Sequence, residues 1–346
     1  MYVVYKMFSN KGDAFMSYLL KPLENGKLFL KNRLIMPPMA TSKSEEDGRV
    51  SREMLDYYDE KSRGGYISLV IIEHSFISKR GKASERQLSV SDDDLIGGLK
   101  ALADTIHRNG TKAVMQINHA GSATSKDITG YDEVGPSSVP NPRRGNIPRE
   151  LTRTEIEGIV REFKNAAVRV KKAGFDGVEI HSAHGYLLDQ FLSPLTNKRI
   201  DEYGTDIKGR IKIHLDVVRA VRSAVGEDFP ILLRLGASDY MEGGTTIEDS
   251  KIAAVEFEKA GVDILDISGG FCGYMVPGLT GQGYFSPLSE AIKKVVSIPV
   301  ILTGGITEAK AAEKLLSEGK TDLIGVGRAM YKDSGWARKA IESFRA

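Results

Sequence analysis

Short runs of aliphatic and β-branched residues alternate along this chain with longer stretches in which apolar positions return every three or four residues. The short runs are Leu34–Met39, Ser68–Ile72, Ala113–Asn118, Val178–Ile180, Pro230–Leu235, Ile264–Ser268, Pro299–Thr303 and Asp322–Val326. They are nearly continuous in hydrophobicity, which predicts strands covered on both faces, as in a parallel sheet. Between them, helical spacing predicts a helix near Ser51 to Ser62 and others on Leu95, Ile96, Leu99, Leu102, Ala103 and Ile106, on Ile211, Leu215, Val218 and Val225, and over Ile247 to Ala260. Thr152 and Glu155 form a capping-box pair ahead of Ile156, Ile159, Val160, Phe163, Ala167 and Val170. Pro287 opens a further helix, and one more covers Glu308 to Glu318.

Eight such strands, each followed by a helix, predict an α/β chain folded as a (β/α)8 TIM barrel. A doubly wound open sheet is the other candidate, but no Gly-x-Gly-x-x-Gly follows the first strand. One internal echo supports the register: Ala173-Gly-Phe-Asp176, Ala260-Gly-Val-Asp263 and Gly319-Lys-Thr-Asp322 each end a helix and feed a strand. Asn25-Gly26, between the apolar arms of Leu19 to Leu34, predicts an N-terminal hairpin. The proline-rich stretch Gly135 to Arg149 after the third strand predicts a lid or binding excursion. Residues 1–346 are expected to form a single domain, with 1–14, which carry no pattern, as a loose tail.

Composition narrows the function classes. With 346 residues, 41% hydrophobic and 27% charged, and a formal net charge of +2, the chain is an ordinary globular one with no nucleic-acid signature. Arg143-Arg144 is the one conspicuous basic spot in the middle of the chain. No apolar run reaches membrane-spanning length, and Met1 to Phe8, interrupted by Lys6, is too short for a secretory signal. The single cysteine, Cys272, excludes internal disulfides, so a cytoplasmic location is expected.

In a barrel the strand C-termini carry the chemistry. This sequence places there Pro38-Met39-Ala40, Glu73-His74, Gln116, His181, Arg234, Ser268-Gly269-Gly270, Gly304-Gly305 and Gly327-Arg328. His181, His184 and Tyr186 are grouped at the end of the fourth strand. Two imidazoles can donate to one oxygen and a phenol can supply a proton, which suits a carbonyl compound whose oxygen gains charge during reaction. Gly304-Gly305 and Gly327-Arg328 follow the last two strands, where barrels hold phosphate groups. Gln116 and Arg234 can serve the edge of an anionic heterocycle. An unprotonated reduced flavin has that shape, with phosphate at one end and a negative pyrimidine edge at the other. The pair His181-x-x-His184 also leaves a metal-dependent barrel hydrolase open, although metal pairs of this spacing usually lie on a helix with a nearby Glu or a third ligand.

From about Leu19 to Ala329 the sequence resembles the Old Yellow Enzyme family of FMN-dependent ene-reductases, which also supplies the barrel half of the dienoyl-CoA reductases. The resemblance is carried by His181-Ser-Ala-His-Gly-Tyr-Leu-Leu-Asp-Gln-Phe-Leu-Ser-Pro-Leu-Thr-Asn-Lys-Arg199 with Asp201-Glu-Tyr-Gly204, by Lys31-Asn-Arg-Leu34, Gln116-Ile-Asn-His-Ala-Gly121 and Thr303-Gly-Gly305. It implies that Pro38, Met39, Ala40 and the His74 backbone line the flavin ring and that Gln116 and Arg234 hold its pyrimidine edge. Gly304, Gly305, Gly327 and Arg328 would bind the FMN phosphate. His181 and His184 would grip the substrate carbonyl, and Tyr186 would be the proton donor. The implied reaction passes hydride from NADH or NADPH through FMN to an activated alkene such as an enone or enal. No metal, nucleic acid or membrane is implied, and a homo-oligomer is left open. A flavin-carrying protein without ene-reductase activity is the other reading. The sequence departs from the family at Ala40, where many members have Thr, Cys or His, with Thr41 beside it as a substitute. The chain ends at Ala346, short of the cluster-binding and pyridine-nucleotide domains of long dienoyl-CoA reductases. It offers no clear counterpart of the C-terminal arginine that some members insert into a partner's site, although Arg345 is available.

Overall fold

A computed structural model describes residues 17–345; the tail expected over residues 1–14 lies outside them. The eight apolar runs become parallel strands, here β1 (Leu34–Met36), β2 (Leu69–Phe76), β3 (Lys112–Asn118), β4 (Gly177–Ser182), β5 (Ile231–Gly236), β6 (Ile264–Ser268), β7 (Val300–Thr303) and β8 (Leu323–Gly325). They pair in sequence order and close, β8 against β1 through Ile324–Leu34, into one barrel. The (β/α)8 expectation holds.

Strand ends differ from the sequence reading for identifiable reasons. β1 stops at Met36, because Pro37 and Pro38 have no N–H to continue the ladder. β2 continues through Glu73, His74 and Ser75, with an irregularity in its pairing to β3 between Ile72 and Ser75. That bulge re-aims the end of the strand, as bulges beside sites do. Five short helices lie outside the helical spacing of the sequence: Lys126–Thr129, Leu187–Leu192, Ile207–Arg210, Arg328–Lys332 and Trp336–Glu342. The excursion after β3 is tied at its base by a two-residue parallel pair, Val134–Gly135 with Arg149–Glu150.

The repeated Ala-Gly-x-Asp pattern has a structural purpose. Gly174 and Gly261 end their helices with φ of 83° and 109°, a region a side chain would strain. Each following aspartate then hooks the start of the neighbouring strand. The Asp176 carboxylate accepts from the Ala113 N–H at 2.9 Å, Asp263 from Ile231 at 2.8 Å and Asp322 from Val300 at 3.0 Å. In each case the backbone N–H of the aspartate donates back to the carbonyl of the same residue. The expected capping box at Thr152 and Glu155 is formed in both directions.

Two apolar cores result. The outer one lies between the barrel wall and the helices. The inner one joins Ile35, Leu69, Ile71, Val114, Leu232, Ile264, Ile301 and Leu323 to Leu23, Leu28 and Leu30 of the N-terminal hairpin. The hairpin (Leu23–Glu24 paired with Phe29–Leu30) thus plugs the N-terminal end of the barrel. The opposite end is left for the site.

Asp263 also meets Arg222, which is buried, at 2.5 Å. Asp263→Ala removes a strand hook and leaves a buried cation without its partner, so unfolding in urea should show a loss of about 3 kcal/mol. A change below about 0.5 kcal/mol would mean that the hook is dispensable.

Candidate active site

Above the inner apolar core the barrel interior turns polar. Gln116 on β3 pairs in register with Glu179 on β4, and its Nε2 donates to Glu179 Oε1 at 2.7 Å. Arg234 on β5 lies in register with both His181 on β4 and Asp266 on β6. The Arg234 guanidinium approaches the Asp266 carboxylate to 3.2 Å at Nε, off line for a hydrogen bond. Burial raises the pKa of Glu179 well above the carboxylate range, with the Asp266 charge adding to it and Arg234 and Gln116 opposing. Burial raises Asp266 as well, against the pull of Arg234 and Thr303. This layer is the floor of a cavity of about 520 Å³ at the strand C-termini, within the size range of small-molecule sites.

Every residue that the family resemblance assigns to the site lines this one cavity, whereas Glu73, Gly269 and Gly270 of the same rim do not. Pro38, Met39, Ala40 and His74 form one wall, Gln116 and Arg234 the floor, His181, His184 and Tyr186 a second wall, and Gly304, Gly305, Gly327 and Arg328 the far end. Thr41 is not among the lining residues. Its N–H donates to Glu73 at 2.9 Å, and its hydroxyl accepts from the Lys43 N–H at 3.2 Å.

The second wall is a cluster of rings. His181 lies 5.1 Å from both His184 and Tyr186, centroid to centroid, and His74 lies 5.2 Å from Tyr186. Burial lowers the pKa of His181 and His184 well below the usual imidazole value, with neighbouring His side chains and Arg234 adding to the effect. His74 is lowered to about 4, chiefly by burial and then by Arg234. All three are therefore neutral near pH 7, able to donate one N–H each. Burial raises the Tyr186 phenol, so it carries its proton; Arg144 and Arg143 temper that shift.

Backbone geometry aims these rings. His184 has φ of 63°, in the left-handed region, and Gly185 follows at 77°. For a residue other than glycine this costs about 1–3 kcal/mol and persists only where neighbours impose it. Asp189 imposes it: its buried carboxylate accepts from the Gly185 N–H at 2.6 Å, while Gln190 Nε2 donates to the Gly185 carbonyl at 2.7 Å. Ser268 on β6 meets His184 Nε2 at 2.7 Å.

The cavity fits a flavin nucleotide by its unmet hydrogen bonds. Arg234 is 3% exposed, yet among the described residues none of its N–H groups has a protein acceptor in hydrogen-bonding geometry. A buried cationic donor in that state calls for a ligand acceptor. At the far end, a Cβ on Gly305 would lie 2.6 Å from the Tyr284 ring and one on Gly327 would lie 2.8 Å from Met39 Sδ. Glycine leaves that backbone open to a phosphate, with Arg328 beside it and no carboxylate lining the cavity. Among the described residues no three His, Cys, Asp or Glu side chains gather as metal ligands would.

Residues 18–345 match the model of the NADH:flavin oxidoreductase / NADH oxidase family. The chain belongs to that family. A family NADH oxidase from Thermoanaerobacter brockii is 45% identical over 323 residues, covering 92% of this chain and 50% of that protein. The chain thus spans about half the length of that relative. An NADPH dehydrogenase from Listeria monocytogenes is 37% identical, covering 94% of this chain and 95% of the relative. Among solved structures, an old yellow enzyme homologue from Zymomonas mobilis superposes with a TM-score of 0.82 at 27% identity, covering 94% of this chain and 92% of that one. The Old Yellow Enzyme resemblance therefore holds. With the family comes FMN as the flavin, and the family and the Listeria relative are named for NADH and NADPH respectively. No helix among the described residues is long and apolar enough to cross a membrane.

Sequence reasoning passed over Glu179, Asp266, Asp189 and the bond from Ser268 to His184. A signal existed for the first two: each is a carboxylate flanked on both sides by aliphatic residues, Val178 and Ile180 around Glu179 and Leu265 and Ile267 around Asp266.

Glu73, at the bulge of β2, gives a pH test. Burial raises its pKa from 4.5 to about 7, against hydrogen bonds from Thr41. A raised folded pKa means that its contribution to stability is full below about pH 4.5 and lost as pH rises through about 7, a change of about 3 kcal/mol. Glu73→Gln should remove that part of the slope when urea unfolding is compared at pH 5 and pH 8. Parallel pH profiles for the two proteins would contradict it.

Proposed function

We propose that this protein is an FMN-dependent ene-reductase that passes a hydride from NADH or NADPH to the activated C=C bond of an α,β-unsaturated carbonyl compound. The observation that carries the reading is the convergence of His181, His184 and Tyr186 on a cavity whose floor holds the unsatisfied guanidinium of Arg234. FMN, when bound, would supply the redox chemistry, hydride transfer between the nicotinamide and the alkene β-carbon. In this assignment Gln116 and Arg234 hold the pyrimidine edge, and Pro38, Met39, Ala40 and His74 pack against the ring. Gly304, Gly305, Gly327 and Arg328 hold the phosphate. The positive charge of Arg234 would favour an electron-rich ring, and the Asp266 carboxylate 3.2 Å away offsets that charge.

The remaining steps belong to the protein. His181 and His184, neutral, donate N–H groups to the substrate carbonyl oxygen and stabilise the charge that develops there. Ser268 fixes the orientation of the His184 ring. Tyr186, protonated near pH 7, donates its proton to the α-carbon. Reduction of dioxygen or of a metal ion needs no proton donor placed for a carbon atom, so this trio favours an alkene over those acceptors.

A purified protein that is yellow, releases FMN on denaturation and consumes an enone with NADH or NADPH supports the proposal. Bound FMN with no enone turnover would leave a flavin carrier in its place. His184→Ala should weaken a phenol, whose oxyanion mimics the charged carbonyl oxygen, by about tenfold at unchanged FMN content. Unaltered phenol affinity would remove His184 from the oxygen site. Tyr186→Phe should leave flavin reduction by the nicotinamide intact and slow alkene reduction ~10²–10⁴-fold. Stopped-flow traces of the two half-reactions separate these, and equal slowing of both would make Tyr186 a pocket-shaping residue.

A further inference from the structure

The charge of the cavity is lopsided. Its lining includes Arg143, Arg144, Arg234 and Arg328 and not one Asp, Glu or Lys. Asp266 stands behind Arg234, and Arg328 lies at the phosphate end. Arg143 and Arg144 remain. Among the described residues neither has a carboxylate within ion-pair distance, whereas Arg149, at the end of the same excursion, is paired with Glu155 at 2.6 Å. The one polar contact of the Arg143 guanidinium is a long one, 3.4 Å to the His184 carbonyl.

These two side chains do not hang from an unstructured loop. Asn141, which is buried, accepts from the N–H groups of Arg143 and Arg144 at 2.9 and 3.2 Å and donates to Ser122 at 2.9 Å. Asn146 donates to the Ser122 carbonyl at 3.0 Å, and Asn141 and Asn146 close the turn through their backbones. The turn sets Arg143 beside Gly185 and Gly273, next to the wall that carries His184 and Tyr186. Both arginines are exposed and line the cavity. Two adjacent cations on a hydrogen-bonded turn at a concave opening, neither with a carboxylate within ion-pair distance, repel one another and draw in an anion.

We propose that Arg143 and Arg144 form an anion subsite at the cavity mouth, taking a phosphate or carboxylate borne by one of the two compounds that enter. The proposal rests on the reading of the cavity as the meeting place of a nicotinamide donor and an unsaturated carbonyl compound. Two sources offer that chemistry: the phosphates of the donor, or an acidic group at the end of the alkene substrate remote from its carbonyl.

The test uses the flavin-loaded protein and two ligands of one shape, 4-hydroxycinnamate and its uncharged amide, titrated through the change in flavin absorbance without any turnover. In the wild type the acid binds more tightly than the amide, and added salt narrows the gap. The R143Q/R144Q double variant should lose about tenfold in affinity for the acid and less than twofold for the amide. In parallel, the concentration dependence of flavin reduction by NADPH and NADH is measured for both proteins. A tenfold loss confined to the nicotinamides assigns the subsite to the donor, and one confined to the acid assigns it to the substrate. Equal losses for acid and amide make the turn a shaping element and overturn the subsite, as does no change in any of the four ligands. Absence of flavin, read from the spectrum before any ligand is added, would fell the reading of the cavity and the subsite with it.

Discussion

A guanidinium inside a barrel wall is costly to bury, and the site depends on how this fold meets that cost. Arg234 points into the barrel from β5, out of bulk water, and Asp266 one strand away supplies the opposing charge. The pairing is oblique, so the carboxylate offsets the charge without using up the hydrogen bonds. A well-aligned salt bridge would have spent the donors on the protein itself. The register of β4, β5 and β6 sets this arrangement, and that register rests on the apolar layer packed beneath it. Stability of the lower barrel and donor capacity of the upper layer are in this sense one construction.

The ring cluster beside it relies on a local strain instead. His184 occupies a left-handed conformation that the chain would abandon on its own, and Asp189 and Gln190 on the following short helix hold it from both sides of Gly185. Burial makes Asp189 a poor acid, with the nearby Asp239 pushing in the same direction. The turn is thus held by a group that is itself out of reach of solvent. Rigid neighbours on both sides allow two histidines and a tyrosine to face one point without pairing with each other.

Much of this was legible in the sequence because parallel strands buried on both faces read as unbroken apolar runs, and because helix ends carry glycine and aspartate marks. The thirteen expected site residues share one cavity since strand C-termini in a barrel converge whatever their spacing along the chain. What stayed hidden had different causes. Glu179 and Asp266 lie within apolar runs, where alternation between the two faces of a strand is masked by β-branched neighbours. Asp189 acts across a turn whose strained dihedral no residue pattern announces. Arg143-Arg144 was visible as a basic spot, but its place over the cavity depends on Asn141 and Ser122, which come together only once the excursion is folded.

The hairpin plug carries a kinetic consequence. With Leu23, Leu28 and Leu30 sealing one end, the barrel is a cup, and whatever enters must withdraw by the way it came. On the function proposed above, hydride donor and acceptor enter at the same face, share a single vestibule and alternate in it. Each turnover then contains two arrivals and two departures in strict succession. A surplus of either partner occupies the vestibule against the other, so the rate has an optimum in the ratio of the two concentrations and not in the amount of either alone.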